Sequence, residues 1–126
     1  MLFLRRLCVV LSPAVGYDCV IEEDVVMHVI LDLCVVPLGV GVSVSRYIAR
    51  CEKELKACGL KPLLHAYGTT IEGEWDKVLD AVKRCHEVLH EEGVPRISTS
   101  IRLGTRTDRT QTAADKVRSV QEKLEA

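Results

Sequence analysis

Aromatic side chains are scarce in this sequence: its 126 residues include one Phe, one Trp and three Tyr. Proteins that hold single-stranded nucleic acid stack its bases on aromatic side chains, so the scarcity argues against that class of protein. Charge does not favour nucleic acid either, because the formal net charge is −1 and the cations are not gathered into one block. We predict no nucleic-acid partner.

The chain also lacks a long hydrophobic run. The uncharged stretch at residues 7–17 is shorter than the roughly 20 apolar residues that span a bilayer, and Pro13 interrupts its resemblance to a signal peptide. We predict no membrane partner. Residues 1–27 are expected to be a leader, a disordered extension or the result of a wrongly placed start, and residues 28–126 to form one domain.

None of the six cysteines belongs to a CxxC pair, so the spacing of a cysteine zinc site is missing. Three of them, Cys51, Cys58 and Cys85, fall at apolar positions of helical patterns, and Cys34 lies within an apolar strand pattern. Buried free cysteine behaves as a small hydrophobic residue. We predict thiols without a disulfide framework, and a cytoplasmic protein.

Periodicity predicts the order β-α-β-β-α-β followed by a last helix. The order is typical of a ferredoxin-like α+β sandwich, in which both helices cover one face of the sheet. The predicted strands are His28–Leu38, Lys61–Tyr67, Thr69–Glu72 and Arg96–Leu103.

Local signals predict where the helices begin and end. Ser43 is a candidate N-cap of the first helix, and Gly59 suits the position just after its end. Thr112 and Asp115 have the spacing of a capping box at the start of the last helix.

The face of the sheet opposite the two helices would be bare in a monomer. It combines an apolar band with a polar cluster, a surface that is unfavourable in water. We predict that two copies pair face to face in a symmetric oligomer, with a small-molecule pocket at the margin. The residues of this face are Ile30, Asp32, Cys34, Val36, Thr70, Glu72, Ser98, Ser100 and Arg102.

Four segments resemble one known family. Residues 31–39 (LDLCVVPLG), 67–73 (YGTTIEG), 102–109 (RLGTRTDR) and 115–120 (DKVRSV) resemble, in this order, the motifs of the small, formerly uncharacterised thiamine-binding protein family, most of all its fungal branch. The resemblance covers about residues 28–125. It implies a ferredoxin-like fold, a homotetramer built from two dimers, and binding of thiamine (vitamin B1) or its hydroxymethylpyrimidine moiety.

The resemblance directs attention to the polar cluster of the bare face. Carboxylates accept hydrogen bonds from an aminopyrimidine or pair with the thiazolium cation, and hydroxyls supply the remaining bonds. In the alternative interpretation, Glu72 and Asp32 form salt bridges with Arg102 at an oligomer interface. The candidate ligand-binding residues are Asp32, Thr70, Glu72, Ser98, Ser100 and Arg102.

Other polar groups are weaker candidates. Residues 86–90 read HEVLH and so have the HExxH spacing, but Cys85 lies on the apolar stripe of this helix, and His86 and His90 lie at its edge beside other acidic residues. We therefore predict a solvated helix face and no metal. We expect His65 to be packed with a hydrogen-bond partner. The loop with Arg106, Asp108 and Arg109 could contact either a phosphate or a neighbouring subunit. We favour contact with a neighbouring subunit.

Neither a nucleophile–base pair nor a glycine-rich nucleotide loop is visible in the sequence. We therefore predict a non-catalytic binding protein without a cofactor. Two alternatives remain open: a small enzyme of thiamine-precursor metabolism, and a structural or regulatory homo-oligomer without a small ligand.

Overall fold

The computed structural model describes residues 6–10, 18–22 and 26–126. Its strands and helices follow in the order β1 Arg6–Val10, β2 Asp18–Glu22, β3 His28–Leu38, α1 Ser45–Ala57, β4 Leu63–His65, β5 Gly68–Glu74, α2 Trp75–Glu91, β6 Arg96–Gly104 and α3 Ala113–Leu124.

Strands β3 to β6 form one antiparallel sheet in the spatial order β4-β5-β3-β6. The first strand of the domain, β3, thus lies between the third and the fourth, and each of α1 and α2 connects two strands that have one other strand between them. This arrangement confirms the predicted ferredoxin-like α+β fold, with α3 added at its C-terminal end.

Strand β3 is central because its alternate side chains are apolar on both faces. Val29, Leu31, Leu33 and Val35 are buried in the core beneath the helices. Leu31 is fully buried, and burying such a side chain stabilises the fold by about 1.5–3 kcal/mol. The alternation therefore fixes which face of β3 meets the helices and leaves the other face open.

Helices α1 and α2 pack side by side on the covered face. The Cys85 Sγ lies 3.8 Å from the Cys51 carbonyl oxygen, and both side chains are buried. The contact with Cys51 and burial raise the pKa of the Cys85 thiol. Across the helix surface, Arg84 Nε donates to Glu54 Oε1 at 2.9 Å. The two cysteines therefore occupy the apolar positions that periodicity predicts.

The predicted start of α1 and the predicted bounds of the second strand differ from the structure. Ser43 is not the N-cap of α1: Val44 occupies that position without a side-chain cap, because the Ser43 hydroxyl lies 3.4 Å from that of Ser45 instead. The second strand of the domain is only Leu63–His65, because Ala66 and Tyr67 form the turn to β5 and the pairing with β5 includes only these three residues. Gly59, in contrast, follows the end of α1 with φ +81°, as predicted.

Helix α3 starts with the predicted capping box. The Thr112 Oγ1 accepts from the Asp115 N–H at 3.1 Å, and Asp115 Oδ2 accepts from the Thr112 N–H at 3.0 Å. The latter bond holds the pKa of Asp115 below its ordinary value. Beyond this cap, no α3 side chain is buried, and Val117, Val120 and Leu124 are each more than half exposed. Few contacts therefore fix α3 to the domain.

The predictions for residues 1–27 fall mostly outside the described residues. Within the described parts, the backbones of β1 and β2 pair antiparallel. The expected leader or extension stays a prediction. In the part of the chain that the structure describes, none of the helices is both long enough and apolar enough to cross a membrane.

Candidate functional site

The open face of the sheet brings three polar residues into one row. Asp32 on β3 lies opposite Thr70 on β5 and opposite Arg102 on β6. Directly opposed residues of antiparallel strands have Cα atoms about 4.5–5.5 Å apart, so their side chains are neighbours on the same face. A carboxylate thus stands between a hydroxyl and a guanidinium.

This row forms the base of an open cleft with a volume of about 1090 Å³. The loop between β6 and α3 forms one wall, and the first turns of α3 form another. The cleft is lined by Val26, Met27, His28, Ile30, Asp32, Thr70, Arg102–Arg109, Thr110, Gln111, Ala113, Lys116 and Val117.

Asp32 has one carboxylate oxygen engaged and one available. The imidazole of His65 donates from Nε2 to Asp32 Oδ1 at 2.7 Å, while Oδ2 accepts no hydrogen bond from the described side chains. The Asp32 side chain is 46% exposed, so a ligand in the cleft can reach it. The predicted hydrogen-bond partner of His65 is confirmed, but its ring is exposed and not packed, because none of the residues 26–126 covers edge strand β4.

Glu72 has a different position from Asp32. Its Oε2 accepts from the backbone N–H of Ala113, the first residue of α3, at 2.9 Å and lies 3.5 Å from His28 Nε2. A carboxylate at a helix N-terminus also interacts favourably with the helix dipole. Glu72 therefore joins the sheet to the start of α3, and it supports a wall of the cleft instead of lining it.

Among residues 26–126 of one chain, the alternative pairing of Glu72 or Asp32 with Arg102 does not occur. The guanidinium of Arg102 is exposed, and in residues 26–126 no carboxylate forms an ion pair with it. Ser100 and Ser98 lie opposite Cys34 and Val36, about 7 and 13 Å from Arg102 along β6 at the usual strand rise. Of the six predicted residues, the structure gathers Asp32, Thr70 and Arg102 in the cleft and leaves both serines outside it.

The loop before α3 has internal order. Arg106 donates from Nε to Asp108 Oδ1 and from Nη1 to Gln111 Oε1, both at 2.7 Å. The Arg106 guanidinium lowers the pKa of the Asp108 carboxyl to about 2. This Arg-x-Asp pair fixes the loop beside the cleft. The cleft wall also includes Lys116 and Val117. The sequence did not indicate these two residues, because periodicity shows which face of a helix a residue occupies but not what lies beside that face.

The two histidines of α2 have separate partners. His86 Nε2 lies 2.6 Å from Thr99 Oγ1, and His90 Nδ1 donates to the Val94 carbonyl oxygen at 2.8 Å. Burial lowers the pKa of His86. Among residues 26–126, no three His, Cys, Asp or Glu side chains cluster as a metal site would require.

Comparison with known proteins places this chain in a family. The family model described as "Thiamine-binding protein" matches residues 31–121. A UPF0045 protein of the cyanobacterium Synechocystis is 63% identical over 99 residues, which are 79% of this chain and 82% of that protein. The UPF0045 protein ECM15 of the fungus Eremothecium gossypii is 50% identical over 99 residues, or 78% and 94% of the two chains.

A solved structure has the same fold. The crystal structure of a hypothetical protein from Methanocaldococcus jannaschii matches with a TM-score of 0.70 and 32% identity, over 75% of this chain and 97% of that one. The family resemblance seen in the sequence motifs is thereby confirmed: the chain belongs to the thiamine-binding protein family.

Proposed function

We propose that the protein binds thiamine, or its hydroxymethylpyrimidine moiety, in the cleft at the end of the open face. The observation that carries this proposal is the row of Thr70, Asp32 and Arg102 at the base of the cleft, in a chain of the thiamine-binding protein family. The cleft has enough space, since small-molecule pockets usually measure about 300–1,000 Å³.

The row offers the groups that an aminopyrimidine requires. The exocyclic amino group donates to Asp32 Oδ2, and the Thr70 hydroxyl and the Arg102 guanidinium supply further hydrogen bonds to ring nitrogens or a ligand hydroxyl. A hydrogen bond to an ionised carboxylate is stronger than one between neutral groups. Asp32 is therefore the main contact in this proposal.

The remaining predicted residues receive more distant roles in the proposal. Glu72 acts through α3, because it holds the N-terminus of that helix beside the cleft. Ser98 and Ser100 lie farther along the face, where they would meet a second copy of the chain. None of these groups forms the nucleophile–base geometry of covalent catalysis, so we propose binding without turnover.

The first test is isothermal titration of the purified protein with thiamine and, separately, with hydroxymethylpyrimidine. We expect a saturable signal with one ligand per chain and recovery of the ligand unchanged. If neither compound binds, the proposal is contradicted and a structural or regulatory oligomer is favoured. Chemical conversion of the bound compound, followed by chromatography, would instead show a small enzyme.

We also propose a homotetramer of two dimers that pair through the open face, in the cytoplasm, where the buried thiols of α1 and α2 stay reduced. Val36 on β3 and Leu63 on edge strand β4 are both exposed on this face and support such pairing. Size-exclusion chromatography with light scattering should give the mass of four chains. Val36→Asp should yield smaller species, whereas Val42→Asp, in a fully exposed loop position, should not. A wild-type monomer at micromolar concentration would refute this proposal.

A further inference from the structure

The cleft has a charge opposite in sign to that of the whole chain. Four cationic side chains line it, against two carboxylates, which gives the lining a formal charge of +2 with His28 neutral. The chain as a whole carries −1. The cations are Arg102, Arg106, Arg109 and Lys116, and the carboxylates are Asp32 and Asp108.

Both carboxylates of the lining already have partners, whereas among residues 26–126 three of the cations have no ion-pair partner. Asp108 pairs with Arg106, and Asp32 accepts from His65. In residues 26–126, no carboxylate forms an ion pair with Arg102, Arg109 or Lys116. These three positive groups belong to the sheet, the loop and α3, so they surround the cleft from three sides.

The positive charge of this lining is unfavourable for unphosphorylated thiamine. The thiazolium ring carries a positive charge, and cations that line a pocket repel it. A phosphate monoester carries about −1.5 to −2 charges at pH 7 and three strong acceptor oxygens. Arginine forks bind phosphate oxygens in pairs, and lysine adds a further charge-assisted bond.

We infer that the cleft takes the phosphorylated form of its ligand, with the pyrimidine on the row of Asp32, Thr70 and Arg102 and the phosphate ester between Arg109 and Lys116. This inference rests on the proposed function and specifies its ligand class. The Ala113 N–H at the start of α3 already binds Glu72, so side chains rather than this backbone group receive the phosphate. The threonine hydroxyls of the loop wall, on Thr105, Thr107 and Thr110, add donors.

The test is isothermal titration of the full chain with thiamine, thiamine monophosphate and inorganic phosphate at one fixed ionic strength. The monophosphate should bind about tenfold more tightly than thiamine, or better, as expected for charge-assisted hydrogen bonds. In the double variant Arg109→Gln/Lys116→Gln this preference should disappear, while the affinity for thiamine should rise or stay the same, because two cations that repel the thiazolium are removed. The double variant Lys83→Gln/Lys123→Gln removes the same charge outside the cleft lining and should keep the preference.

Each other outcome has a definite meaning. Equal or weaker binding of the monophosphate overturns the inference and leaves the proposed function standing, because thiamine still binds. If the Arg109→Gln/Lys116→Gln variant loses affinity for thiamine and for thiamine monophosphate by the same factor, the inference is also wrong, because the two cations then do not recognise the phosphate. Inorganic phosphate that binds as tightly as the monoester would indicate a site for the free anion only. If none of the compounds binds, the proposed function and the inference fail together.

Discussion

Replacing Glu72 with alanine is expected to detach the N-terminal turn of α3 from the sheet and to speed amide hydrogen exchange throughout that helix by roughly 10- to 100-fold. The Glu72 carboxylate accepts the Ala113 N–H at 2.9 Å, and hydrogen bonds to charged groups contribute about 1.5–3 kcal/mol. Since no α3 side chain is buried, little other packing compensates for the loss. Local opening of α3, and not global unfolding, should therefore change.

Hydrogen exchange followed by mass spectrometry distinguishes these two kinds of opening. The matched control is Glu74→Ala, two residues farther along β5, which removes an exposed carboxylate with no side-chain cap bond to α2. We expect unchanged exchange of α3 in this control and of β3 in both variants. If α3 in the Glu72→Ala variant exchanges at the wild-type rate, the bond to Ala113 does not hold the helix.

The strands illustrate what the sequence predicts well. The run rich in Val, Ile and Leu that Pro37 and Gly39 close predicts the bounds of β3, His28–Leu38, as the structure has them. Its apolar residues on both faces are typical of a central strand. Alternation places Asp32, Thr70, Glu72 and Arg102 on one face. It does not say which of them are neighbours, since register depends on turn lengths and bulges between distant strands.

Register separates the two carboxylates of the candidate site. Asp32 lies in the row with Thr70 and Arg102, whereas Glu72 lies one row farther, opposite Ile30. Glu72 follows Thr70 by two residues along β5, and this displacement places it beside the start of α3. Asp32, opposite Thr70, remains in the cleft. The sequence therefore predicts the chemical kind of the site, and the pairing of strands decides which carboxylate is free.

Helix α3 shows a limit of local sequence signals. Its capping box is predicted because Thr112 and Asp115 are close in sequence. Its attachment to the sheet depends on Glu72, 41 residues before Ala113, and no local pattern indicates that contact. The same limit applies to Lys116, which periodicity places on a helix surface but not beside the cleft.

Substituting Asp32 with asparagine is expected to weaken binding of thiamine by roughly 10- to 100-fold without unfolding the domain. Asparagine keeps an oxygen acceptor for the His65 ring, but it removes the negative charge and places an amide donor where Oδ2 meets the ligand amino group. The lost interaction is a charge-assisted hydrogen bond, for which about 1.5–3 kcal/mol is usual. Isothermal titration gives the affinity, and thermal unfolding checks that the fold is intact.

Asp80→Asn serves as the matched control, because it removes one exposed carboxylate from α2, outside the cleft lining. Wild-type affinity in the Asp32→Asn variant, with normal binding in the control, would exclude Asp32 as the main contact. Asp32 is assigned to the pyrimidine ring, so its loss should weaken thiamine and thiamine monophosphate by the same factor. Loss of Arg109 and Lys116 should weaken the monophosphate alone, and this difference separates recognition of the ring from recognition of the phosphate.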